Sequence, residues 1–227
     1  QYRHSVLADY GKTENFNFYP ETSEGIFPST RDRLDIFREH ALPLSLAASK
    51  KIFQEHAHIH STDITHLIVV CCTGMYAPGL DIELVKELSL RSTVHRTAIN
   101  FMGCYAAFNA LKIADAFCGC DRKAKVLVVC TELCSLHFQR EATDDNLLAN
   151  ALFADGSAAV LVESETTAPL RLSLKGFHND LAYEGNQDMA WSIGDLGFEM
   201  RLSAYVPDII KKGIAALTKQ LLAKISQ

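Results

Sequence analysis

The chain has 227 residues, 48% of them hydrophobic and 22% charged, with a formal net charge of −5. That is the composition of a globular protein with a real core, and an acidic balance without a basic run speaks against a nucleic-acid partner. No apolar stretch approaches the roughly 20 residues needed to span a bilayer, and the first residues carry no secretory pattern. Seven cysteines, an odd number in a chain too large to need a disulfide scaffold, are expected to be reduced thiols in a cytoplasmic protein.

Residues 1–28 are polar and aromatic without periodicity and read as irregular structure. Thr30 is the expected N-cap of a helix carrying Leu34, Phe37 and Ala41, with Asp32 favourable in its first turn. Pro43 is expected to kink or restart that helix, which continues as LSLAASKKIFQEH. THLIVVCC (65–72) is a short, apolar, β-branched run of the kind buried in parallel sheets. A helix is expected over Asp81–Leu88, a strand over Thr97–Phe101, and a helix apolar around most of its circumference over Tyr105–Phe117. KVLVVCTEL (125–133) reads as a strand, followed by a polar loop through Asp144 and Asp145 and strands over Ala158–Val162 and Leu170–Leu174.

The polar run Glu163–Pro169 is the expected internal boundary. Beyond it Gly176–Gly197 is turn-rich, FEMRL (198–202) is a short strand, and Ile210, Ile214, Leu217, Leu221 and Ile225 form one face of an amphipathic helix with solvated lysines. Repeated strand–helix–strand units predict an α/β layered fold with a largely parallel sheet, in two parts, 1–166 and 167–227.

The candidate for chemistry is Cys104. INFMGCYAAFNALKIADAF (99–117) places Gly103-Cys104 at the junction of a strand and a buried helix. Unpaired N–H groups and the helix dipole there favour a thiolate and can hold an oxyanion when sulfur attacks a thioester. Gly103 allows a tight turn without a Cβ clash. On spacing alone, a merely small buried cysteine is the competing reading. A metal reading of Cys71-Cys72, Cys118/Cys120 and Cys130/Cys134 lacks the paired C-x₂-C spacing of a zinc site. Papain-like hydrolase signatures are also absent around Cys104.

Four segments, in this order, resemble the type III polyketide synthases of the chalcone and stilbene synthase kind, within the thiolase superfamily: THLIVVCCTGMYAPGLD, MGCYAAFNALKIADAF, KVLVVCTELCSLHF and ALFADGSAAVLV. The resemblance runs from about Thr30 to Leu202 and implies a thiolase-like layered αβαβα fold, its N-terminal half largely present with the start of the C-terminal half. It implies that Cys104 takes an acyl starter from its CoA thioester and extends it with malonyl-CoA by decarboxylative condensation, as an acyltransferase. No metal or redox cofactor is then needed, the CoA thioesters being substrates, and the protein is expected to be a homodimer without a membrane span. Phe153 matches the family's gatekeeper phenylalanine, and Asp155-Gly156 the turn after it, which reads as structural. Cys72, Cys134 and His137 stand where chalcone synthases carry cavity-shaping threonines, and Ala77 where they usually have a Met reaching into the partner's cavity. His137 is either a second acid/base group or a satisfied cavity-lining histidine.

The family's His-Pro-Gly-Gly and Gly-Asn-Met-Ser-like motifs do not occur, Gly185-Asn186 being followed by Gln187-Asp188. The resemblance therefore implies a piece of a longer protein, cut at both ends and nearly inactive by itself. Two other readings stay open at this point. One is a ketoacyl-ACP synthase-like fatty-acid enzyme, although those usually carry Ala-Cys where this chain has Gly103-Cys104. The other is a non-catalytic thiolase-fold fragment that only dimerises or binds acyl-CoA.

Overall fold

The computed structural model describes residues 3–22, 24–165, 171–186 and 188–226. Its first long element, α1 (Thr30–Glu55), is capped by Ser29 rather than Thr30. The Ser29 hydroxyl accepts from the Asp32 N–H and the Asp32 carboxylate accepts from the Ser29 N–H, a reciprocal box that satisfies two otherwise orphan donors. The Thr30 hydroxyl works at a distance instead, bonded to the Gly194 carbonyl and accepting from Gly197 N–H at 2.8 Å. Pro43 lies inside α1 without ending it. Its missing N–H deprives only the carbonyl of Glu39, an exposed residue, so the loss falls on the solvent side of the helix.

Four strands follow: β1 (His66–Cys71), β2 (His95–Asn100), β3 (Lys125–Leu133) and β4 (Asp155–Glu163). They form one sheet in the order β2-β1-β3-β4, the first three parallel and β4 antiparallel to β3. The alternation of side chains across a strand divides the core in two. Leu67, Val69 and Cys71 of β1 with Leu127 and Val129 of β3 face α1 and α2 (Leu80–Glu87). Ile68 and Val70 with Val126 and Val128 face α3 (Ala106–Cys120) through its buried stripe Ala106, Ala110, Ala114 and Cys118. Helix, sheet and helix thus make three layers of the expected fold.

The α1 stripe repeats every fourth residue as Arg33, Phe37, Ala41, Ser45 and Ser49, and its small members let the helix lie close on the sheet. Ser45 donates to the Ala41 carbonyl and is bonded to Thr131 of β3 at 2.6 Å, so the buried hydroxyls are satisfied. Gly74 is required by this packing, since a Cβ there would lie 2.2 Å from the Phe37 ring.

Several expectations are corrected. Strand β2 starts at His95 and stops at Asn100, because Phe101 turns into the left-handed region at φ 57°. Asp144 and Asp145 are not in a loop. They open α4 (Asp144–Leu152), where the Thr143 side chain accepts from Asn146 N–H and the two acids complement the helix dipole. Asp155-Gly156 begins β4 rather than forming a turn. In the expected strand over Leu170–Leu174, Leu170 lies outside the described residues and 171–174 are irregular, with Leu172 projecting into solvent. Of the boundary Glu163–Pro169, residues 166–169 also lie outside the described residues. The turn-rich stretch contains β5 (Met189–Gly194), which pairs antiparallel with β6 (Gly197–Leu202), the FEMRL strand. Helix α5 (Val206–Ile225) has the expected apolar stripe, yet none of its residues is buried. Among the described residues no helix is long and apolar enough to cross a membrane.

Arg33 is the most constrained residue of α1. Fully buried, it donates to the carbonyls of Pro28 (3.0 Å), Leu136 (2.9 Å) and Phe138 (2.8 Å) and lies over the Tyr19 ring. One guanidinium thereby gathers the N-terminal segment, α1 and the turn after β3. Arg33→Met is expected to lower unfolding free energy by about 3 kcal/mol, since three carbonyls, that of Leu136 in the buried core, lose their donor. Urea denaturation checks this, with an unchanged midpoint as the contrary result.

Candidate active site

Strand β2 delivers the chain to a sharp turn. Phe101 (φ 57°) and Gly103 (φ 64°) both lie in the left-handed region, and a single 3-10 turn, Gly103–Tyr105, then leads into α3. Glycine adopts this conformation freely, whereas a bulky Phe carries a strain on the order of 1–3 kcal/mol. The Phe101 ring is held edge-on to Phe198 of β6, with centroids 5.5 Å apart. Cys104 therefore sits exposed at the mouth of α3, beside its first-turn N–H groups.

Cys104 opens onto a cavity of about 810 Å³. Its walls come from the ends of the sheet strands, the head of α3 and the hairpin: Cys72 and Thr73 after β1, Glu132 in β3 and Cys134 just after it, Phe153 between α4 and β4, and Met189, Trp191 and Met200 from the β5–β6 hairpin. Of the residues singled out in the sequence, the structure brings together Cys104, Phe153, Cys72, Cys134 and His137. It does not bring Ala77, which is exposed ahead of α2 and outside this cavity.

His137 is buried and fully bonded. Its Nε2 lies 2.7 Å from the Thr73 carbonyl and its Nδ1 accepts from the Phe198 N–H at 3.0 Å, which requires a neutral ring with the proton on Nε2. The ring stacks on Phe198 (4.2 Å, 7°) and meets Trp191 edge-on. Burial pulls its pKa down to about 4. Of the two readings of His137, the geometry favours the satisfied histidine, since neither nitrogen is spare for a substrate.

Two wall residues carry functions the sequence reading did not single out. Glu132 accepts from the Cys72 N–H (2.9 and 3.1 Å) and the Thr73 hydroxyl (2.6 Å), and burial pushes its carboxyl up. It fastens the chain leaving β1 to β3. A charged residue inside KVLVVCTEL was the available signal. Trp191, the one tryptophan of the chain, donates Nε1–H to the Cys72 carbonyl at 2.9 Å. Asp155 behaves as the expected structural residue: it accepts from Ser135 N–H, the Ser135 hydroxyl and Val6 N–H.

The thiols differ in setting. Burial raises Cys71 and Cys72, lifts Cys130 to about 11 and Cys134 to about 12, and the nearby Glu132 carboxylate adds to each. Among the described residues no group of three or more His, Cys, Asp or Glu is gathered for a metal ion.

Residues 3–166 match the family described as chalcone and stilbene synthases, N-terminal domain. The chain is 32% identical over 200 residues to the alpha-pyrone synthesis polyketide synthase-like Pks18 of Mycobacterium tuberculosis, covering 86% of this chain and 51% of that one. It is 38% identical over 154 residues to the bisdemethoxycurcumin synthase of Oryza sativa, covering 67% of this chain and 38% of the relative. The crystal structure of PKS-I from the brown alga Ectocarpus siliculosus superposes with a TM-score of 0.85 at 31% identity, covering 99% of this chain and 61% of that one. The layered fold is therefore that of the type III polyketide synthases, and the chain spans about half the length of the mycobacterial relative.

The His137 geometry sets a pH dependence. An unfolded histidine takes up a proton near pH 6.5, whereas the folded one resists until about 4. The unfolded state binds more protons in that window, so stability falls as pH drops from about 6.5 to 4, by up to about 3 kcal/mol. Urea titrations across this range should show the loss in the parent and lack most of it in His137→Asn; equal slopes would remove the assignment.

Proposed function

The chain belongs to the chalcone and stilbene synthase family, and from that premise we propose that the protein is a type III polyketide synthase whose nucleophile is Cys104. The observation that carries this reading is the exposed thiol at the head of α3, opening onto an apolar cavity of about 810 Å³. The sulfur attacks the carbonyl of an acyl-CoA, the first-turn N–H groups of α3 receive the oxyanion, and CoA leaves as the thiol. Malonyl-CoA then loses CO₂, and the resulting enolate carbon attacks the acyl-cysteine carbonyl, freeing Cys104 for the next transfer. Phe153 stands at the cavity wall as the gatekeeper, and with Met189, Trp191 and Met200 it excludes water from the decarboxylation. Cys72 and Cys134 set the width of the chamber, and His137 holds its wall.

In this reading acyl-CoA and malonyl-CoA are substrates, no resident cofactor takes part, and the parts 1–166 and 167–227 meet at the chamber. The protein works as a homodimer in the cytoplasm. Exposed Met102, Tyr105 and Phe108 around the nucleophile support a partner surface there. A starter of apolar acyl character fits walls rich in Met and aromatic side chains.

Intact-mass spectrometry after incubation with an acyl-CoA tests the assignment. The protein should gain one acyl group, Cys120→Ala should retain it, and Cys104→Ala should lose it; an adduct surviving in Cys104→Ala would sink the reading. At neutral pH iodoacetamide should modify Cys104 far faster than the other six thiols.

A further inference from the structure

Three of the seven thiols line one chamber although they come from three separate elements: Cys72 from the end of β1, Cys104 from the head of α3 and Cys134 from the end of β3. Cys104 is exposed, whereas Cys72 is buried and Cys134 half-buried. The Cys72 Sγ lies 3.9 Å from the Gly103 carbonyl, the peptide group that leads directly into Cys104. That contact is a weak thiol bond, so the Cys72 sulfur gives it up at little cost. The peptide it touches is the turn whose freedom Gly103 provides. A reactive thiol that is accessible, with a second thiol packed against its own backbone, is the arrangement that redox-responsive cysteines share.

We propose that Cys72 is a resolving thiol for Cys104, so that a hydroperoxide switches the nucleophile off reversibly instead of destroying it. Hydrogen peroxide oxidises the Cys104 thiol, its O–O bond breaking as an S–O bond forms, to give the sulfenic acid and one water. The Cys72 sulfur then attacks the Cys104 sulfur, the S–O bond breaks, the Cys72 proton leaves with the hydroxyl as a second water, and a Cys72–Cys104 disulfide remains. A dithiol reductant restores both thiols by exchange and is itself oxidised. Cys134 shares the chamber and also lies near Cys104, but among the described residues the thiol bonded to the Gly103 carbonyl, next to Cys104, is that of Cys72. The disulfide would close the mouth of α3 and protect Cys104 from further oxidation, the irreversible step on this ladder. Its value as a switch rests on the synthase reading, but the chemistry itself does not.

The test treats the protein with a small excess of hydrogen peroxide, quenches free thiols with iodoacetamide, and maps non-reduced tryptic peptides by mass spectrometry. The expected result is a linked pair joining the Cys72 and Cys104 peptides, lost on dithiothreitol treatment, with thioester-dependent acylation of Cys104 falling and then returning. Cys72→Ala and Cys72→Ser, treated in the same way, should accumulate Cys104 sulfinic acid and recover on the order of tenfold less acylation after reduction. Sulfinic acid at Cys104 in the parent without the linked pair, or a Cys104–Cys134 link in its place, would overturn the proposal whatever the variants do. A linked pair in a protein that never accepts an acyl group would sustain the redox inference and defeat the synthase reading, so the two fail separately.

Discussion

One neutral imidazole ties the walls of the chamber together. His137 donates to the carbonyl of Thr73, just beyond β1, and accepts from the amide of Phe198 in β6, while its own backbone belongs to the turn after β3. Three stretches distant in sequence meet at a ring of five heavy atoms. Its two nitrogens are used as one donor and one acceptor, so the arrangement exists only while the ring is uncharged. Protonation would set an N–H against the Phe198 N–H and leave a charge in an apolar wall. The chamber is thus built on a group that would switch readily in water and that burial has removed from switching.

The strained turn before Cys104 depends on the same cluster. Phe101 in the left-handed region is tolerated because its ring packs edge-on against Phe198, and Phe198 in turn lies flat on His137 and edge-on to Trp191. Trp191 fastens back to the Cys72 carbonyl. The path runs from the hairpin, through four rings, to the residue three positions ahead of Cys104. Side chains locked by mutual packing are what hold a catalytic group within the tolerance that chemistry requires. The hairpin is consequently part of the packing that fixes the position of Cys104.

Periodicity and composition made the strands β1 and β3, the helices α2, α3 and α5 and the parallel sheet legible in the sequence, whereas Cys104 is singled out as the candidate nucleophile by the resemblance, its position alone leaving a small buried cysteine as the competing reading. What stayed hidden shares a physical cause. Helix α4 is short, and its opening acids look like a polar loop unless the Thr143 cap is recognised. Ser29 and Thr30 are adjacent and chemically equivalent as caps; only the distant hairpin, which claims the Thr30 hydroxyl, distinguishes them. Strand β5 alternates Met189, Trp191 and Ile193 with Ala190, Ser192 and Gly194, but the pattern is six residues long and sits within a turn-rich stretch, so it does not stand out. His137 was placed at the chamber by resemblance, but its bonding was not readable, since both of its partners are backbone groups.

Glu132 links the wall to the chemistry. A carboxylate taken out of water is costly, and here two donors, the Cys72 N–H and the Thr73 hydroxyl, offset that cost by fixing the chain after β1. The same charge lies close enough to raise Cys71, Cys72, Cys130 and Cys134, each already raised by burial. A thiol attacks as its thiolate. These four sulfurs are therefore kept mainly as thiols, by burial first and by Glu132 second, and of the three sulfurs that line the chamber Cys104 is the exposed one. The residue that fixes the chain after β1 thus also adds to the burial that separates the wall thiols from the exposed one.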